Sequence, residues 1–161
     1  MKTTLSLLTA TALILGCLST ASVGASLTNC GRLTVSDDAQ NGVTQDITQS
    51  NPTDLNGSAI TINVGGSAPS CVIVDFSAQA SIFPGNMFVR AILDNTDVSV
   101  DGKIILTQTG QTGTYGYNFL FTDVPLGSHT VKMQVWVTPD GNGNGPKDGV
   151  INDFNMVVRH R

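Results

Sequence analysis

Three groups of side chains in this 161-residue sequence have the types and spacing to do chemistry. The first is the run Asp140-Gly-Asn142-Gly-Asn144-Gly145-Pro146-Lys147-Asp148. Asp140, Asn142, Asn144 and Gly145 match the first half of a calcium-loop pattern, where alternate oxygens converge on a hard cation and glycine permits the sharp turn. Asp148 falls at the ninth position, but Ile151 stands at the twelfth, where a bidentate Glu belongs. Calcium is therefore the one cofactor to expect, bound weakly, at about 10⁻⁴–10⁻³ M. The second group centres on Trp136, the only Trp, which strand parity places beside Lys132 and Gln134 on a polar face. A flat indole flanked by ammonium and amide donors suits the apolar face and hydroxyl rim of a sugar. The third is the pair Cys30 and Cys71, which in an exported chain reads as a disulfide worth about 3–4 kcal/mol in loop-closure terms.

Catalysis finds little to work with. All 12 acidic residues are Asp, so the paired Glu of a glycosidase is absent, as are a nucleophile elbow, a zinc-binding His-Glu-x-x-His and a phosphate loop. Asp75, Asp94 and Asp97 could form a carboxylate pair only if the fold converged them, and nothing in their spacing does so. His129 and His160 are the only imidazoles. His129 reads as a strand-edge residue, and His160 lies in the basic tail Arg159-His160-Arg161, read as solvated. The expectation is no catalytic residue and no enzyme. A formal charge of −4 with 12% charged residues excludes the clustered basic surface that nucleic acid requires.

The N-terminus reads as an export signal. Lys2 precedes an apolar run from Leu5 to Leu18, and Val23-Gly24-Ala25 forms a cleavage site before Ser26. That run is too short to span a bilayer, so the chain is not expected to be transmembrane once cleaved. The expected division is a signal peptide at 1–25 and one domain at 26–161. Ile14-Leu15-Gly16-Cys17 also resembles a lipoprotein box, which would make Cys17 the lipidated first residue of an outer-membrane lipoprotein instead of a secreted protein.

The elements that must position these residues are strands. Short apolar runs are punctuated by Gly, Pro, Asn and Asp, and no stretch sustains a helical period. Strands are expected near 32–35, 59–64, 71–82, 87–93, 97–100, 103–107, 115–121, 130–137 and 150–159. The polar stretch 36–58 reads as a flexible excursion with at most a weak strand near 43–48. Val131, Met133, Val135 and Val137 share one face, as do Val72, Val74, Phe76, Ala78, Ala80 and Ile82, and so do Tyr115, Tyr117, Phe119 and Phe121. One apolar and one wet face per strand predicts an all-β antiparallel sandwich of about eight or nine strands, jelly-roll or immunoglobulin-like.

The stretch Asp123-Val124-Pro125-Leu126-Gly127-Ser128-His129-Thr130-Val131 resembles the entry to a late strand in small exported bacterial β-sandwich modules. That resemblance implies a surface or extracellular module without an assigned activity. The expected function is therefore a non-catalytic exported binding module, with a polysaccharide or another surface protein as partner. The alternative is a self-assembling structural subunit of an extracellular fibre. Pilus-type subunits of that kind end in a strand with a penultimate aromatic, where this chain has His160.

Overall fold

The computed structural model describes residues 30, 32–42, 44–143, 145 and 148–161. The expected signal peptide at 1–25, including Cys17, lies outside the described residues. Eleven strands follow in chain order: β1 (Val35–Asn41), β2 (Gln45–Ile47), β3 (Thr53–Asp54), β4 (Ile60–Val64), β5 (Ser70–Phe83), β6 (Asn86–Leu93), β7 (Asp97–Val98), β8 (Ile104–Gln108), β9 (Thr112–Val124), β10 (Gly127–Thr138) and β11 (Asp148–His160). All pairings are antiparallel.

One sheet runs β1-β11-β5-β9, with β2 continuing the β1 position along β11. The other runs β3-β10-β6-β7, with β4 beside β3 along β10 and β8 beside β7 along β6. The chain stays within one sheet from β1 to β2, from β3 to β4 and from β6 through β8, and crosses to the other sheet at β2–β3, β4–β5, β5–β6, β8–β9, β9–β10 and β10–β11. The first strand pairs with the last. This is the jelly-roll arrangement, so the topology decides between the two sandwich types.

Alternation builds the core as expected. Val72, Val74, Phe76, Ala78, Ala80 and Ile82 of β5 face Val131, Met133, Val135 and Val137 of β10 and Met87, Val89 and Ala91 of β6, all buried. Phe119 and Phe121 join them, and Tyr115 and Tyr117 pack against the cluster. The sheets approach closely at Gly149, where an added Cβ would come within 2.5 Å of Met87 Cε.

Two expectations need correction. The stretch 36–58 is not an excursion, because it holds β1, β2 and β3, and β1 pairs along its whole length with β11. Its polar sequence misleads because an edge strand buries little: Ala39 packs against the core while Asp38 and Gln40 face water. The basic tail is not simply solvated either, although Arg161 at its end is exposed. His160 is 2% exposed and its Nε2 lies 2.8 Å from Asp37 Oδ2. Arg159 donates to both carboxylate oxygens of Asp75, at 2.7 and 3.0 Å.

Candidate functional site

The structure brings Lys132, Gln134 and Trp136 together on the outer face of the β6–β10 sheet, as parity predicts, but each is committed to partners on the neighbouring strands β3 and β6. Trp136 is 6% exposed and stacks on Phe88 across the strand pair, with ring centroids 5.5 Å apart and planes at 13°. The Arg90 guanidinium sits 5.6 Å from the indole centroid and donates twice to Gln134 Oε1, at 3.0 and 2.8 Å. Gln134 Nε2 donates to Asp54 at 2.8 Å, and Lys132 pairs with the same carboxylate. The Lys132 and Gln134 hydrogen bonds hold the Asp54 carboxyl below its usual range. The open indole that sugar stacking needs is thus replaced by a covered one whose polar neighbours already have partners. Sequence parity gave the face but carried no signal that Phe88 and Arg90 would close over it.

His129 is likewise engaged. Its Nδ1 lies 2.6 Å from Asp94 Oδ2 and its Nε2 2.9 Å from the Pro125 carbonyl, so both ring nitrogens are occupied. Asp94 occupies a left-handed turn position (φ 49°) after β6 and accepts the Thr130 amide at 2.9 Å. Burial pushes its carboxyl up, but the His129 and Thr130 hydrogen bonds outweigh this and lower it. The arrangement clamps the β6–β7 turn to the start of β10. Asp75 meanwhile pairs with Arg159 on the other sheet, so Asp75 and Asp94 do not form a carboxylate pair.

At the 140–148 turn, Asp140 Oδ1 accepts the Asn142 amide at 2.9 Å, and Asp148 opens β11 opposite Phe83. Asn144, Pro146 and Lys147 lie outside the described residues. Among the described residues, no group of three or more His, Cys, Asp or Glu side chains converges. The calcium expectation for Asp140, Asn142, Asn144 and Asp148 has a thermal check. Ligation raises the melting temperature in millimolar calcium, whereas an unmoved melt leaves the segment a plain turn.

The feature that sequence reasoning missed lies on the opposite sheet. A cleft of about 390 Å³ opens on the outer face of β1-β11-β5-β9, within the size range of ligand sites. Register aligns its side chains in rows. Gln40 opposes Asn155, which opposes Ser77, and in the next row Asp153 opposes Gln79, which opposes Thr114. A β-bulge between Ile151 and Asp153 shifts the register at this floor, a device that re-aims side chains. Among the described residues, the side chains of Gln40, Ser77, Gln79, Thr114, Asp153 and Asn155 make no internal hydrogen bond. The lining includes one carboxylate, Asp153, and no cation. Such a wall of uncommitted amides and hydroxyls can donate to and accept from a neutral, polyhydroxylated ligand. The only available signal was alternation, which marks Ser77, Gln79 and Asn155 as outward but not as sharing a concavity.

No family model and no curated protein matches the chain. Among solved structures it is similar to VP2 of infectious bursal disease virus in a subviral particle, at 9% identity and a TM-score of 0.54. That match covers 82% of this chain and 34% of VP2, so the chain spans well under two thirds of the viral protein. It is also similar to the EclA C-terminal domain, described as a sugar-binding protein, at 13% identity, a TM-score of 0.37, and coverage of 78% and 79%. A Bacillus endospore appendage gives 12% identity, a TM-score of 0.35, and coverage of 82% and 95%. The VP2 likeness shows the β-sandwich jelly-roll fold and nothing of activity. The other two likenesses are too distant to bear on a ligand.

Proposed function

We propose that this chain is an exported, non-catalytic binding module that holds a neutral glycan in the cleft across β1, β11, β5 and β9. The observation that carries this is the set of uncommitted amides and hydroxyls at Gln40, Ser77, Gln79, Thr114 and Asn155 around one concavity. On an outward face, single polar residues are ordinary. Rows of them aligned over a cleft, with Asp153 as the only charge, favour hydroxyl-rich and uncharged ligands over anionic ones. The Cys30–Cys71 disulfide supports export, since such bonds persist in oxidising compartments. Both His129 ring nitrogens being occupied supports a binding role over a hydrolytic one.

The one aromatic residue of the lining, Phe154, is 4% exposed with its ring in the core beside Phe76, so affinity rests on hydrogen bonds that each contribute about 0.5–1.5 kcal/mol net. The test is calorimetry of the purified chain against a panel of neutral and acidic oligosaccharides. The expected result is weak binding of a neutral one, reduced roughly 5- to 100-fold by the double substitution Gln79→Ala/Asn155→Ala. Affinity lost through Trp136→Ala but kept in the cleft double variant overturns the assignment of the site. No binding to any sugar overturns the function.

A further inference from the structure

The two edges of the cleft-bearing sheet differ in how they are protected. The β1 edge carries Asp37 and Asp38, which discourage pairing with another strand. The β9 edge, by contrast, reads Thr112-Gly-Thr-Tyr-Gly-Tyr-Asn118, with no charge and no proline. Its far end is capped by the loop after β7: the Val100 amide donates to the Leu120 carbonyl at 2.9 Å, and the Leu120 amide donates to Asp101 Oδ2 at 2.9 Å. Both backbone groups of Leu120 therefore point away from β5. The β5–β9 register is unbroken from Thr112 to Phe121, so the two-residue period turns the amides and carbonyls of Thr114, Gly116 and Asn118 the same way. Among the described residues, β9 pairs only with β5, and these backbone groups have no partner.

We propose that this edge is a homodimer interface, in which β9 of one copy pairs antiparallel with β9 of a second copy about a two-fold axis at Gly116. The geometry is self-complementary, as an isologous contact must be. Gly116 then opposes Gly116 of the second copy, and Thr114 opposes its Asn118. Each opposed pair exchanges two backbone hydrogen bonds. A second copy suits this edge because its neutral sequence sets no like charges against each other, and at the centre only glycine backbones meet. The capped Leu120 limits the paired length, so the interface is small and lies at the weak, concentration-dependent end of the range. Two-fold pairing closes on itself, and the acidic β1 edge does not propagate it. The assembly therefore stops at two copies and does not become a fibre. Since Thr114 also lines the cleft, the dimer sets two clefts side by side on one continuous sheet.

Sedimentation equilibrium of the purified chain, without ligand, tests this independently of glycan binding. The expected result is a monomer–dimer equilibrium. Gly116→Lys sets like charges across the axis and weakens dimerisation about 5-fold or more. The site accepts a Cβ, whose nearest neighbour would be the Phe76 carbonyl at 3.8 Å. Gly116→Pro removes an amide that faces the edge and not β5, and weakens the dimer further. Thermal melts confirm that both variants are folded, and if Gly116→Pro does not fold, Gly116→Lys alone decides. A chain monomeric at every concentration, a dimer indifferent to the folded variants, or assembly beyond two copies each overturns the proposal.

Discussion

Phe76→Ala lowers the unfolding free energy by about 3–5 kcal/mol, a loss of roughly 10–20 °C in melting temperature for a domain of this size. Phe76 is 2% exposed at the middle of β5, the central strand that pairs with both β11 and β9. Its ring lies 6.0 Å from that of Phe154 on β11, tilted by 33°. Truncation removes that contact and leaves a cavity between two sheets whose backbones cannot collapse into it while their ladders hold. Because Ser77 and Gln79 follow Phe76 on the opposite face, the same change loosens the cleft floor. Urea denaturation reads the loss directly. A cost below about 1 kcal/mol would mean that the site repacks and that this part of the core is not as close-packed as described.

Removing the disulfide is expected to be nearly as costly. Cys30 and Cys71 are bonded with Cα atoms 4.5 Å apart and a sequence separation of 41, and loop-closure entropy for that span is worth about 3–4 kcal/mol. The bond ties the chain ahead of β1 to the start of β5, where the Ser70 hydroxyl also donates to the Cys30 carbonyl at 3.4 Å. The Cys30→Ser/Cys71→Ser variant should lose that stability in denaturant titration. Amide exchange should also accelerate first in Val35–Asn41, an edge strand held on one side by β11, before it does so in β5. Uniform acceleration across both sheets would instead make the bond a global brace with no local role.

The sequence made the layers legible wherever a strand had one dry face. The residues of β5, β9 and β10 that parity alone put on a dry face are all in or against the core. The cysteine pair was legible because, of the three cysteines, Cys17 falls in the expected signal peptide and the two that remain have few alternatives to each other. What parity could not convey was lateral context. It put Trp136 beside Lys132 and Gln134, yet Phe88 and Arg90 come from a strand more than forty residues earlier, and only register brings them over the indole. β1 was hidden for a related reason, since Asp37 and Asp38 read as loop until β11 supplies a partner, and Asp37 meets His160 only across that pairing. The cleft needs four strands and a bulge in register before Gln40, Asn155, Ser77 and Thr114 share one concavity. No local window contains that information.

Side-chain amide and indole signals in nitrogen–proton NMR spectra separate the two faces in one titration, because Trp136 is the only Trp and Gln40, Gln79 and Asn155 each carry an amide of their own. On adding the neutral oligosaccharide that binds best, the amide signals of Gln79, Asn155 and Gln40 should shift together while the Trp136 indole stays in place. A moving indole with unmoved cleft amides, or a spectrum unchanged by every neutral oligosaccharide, would contradict the assignment of the cleft as a glycan site.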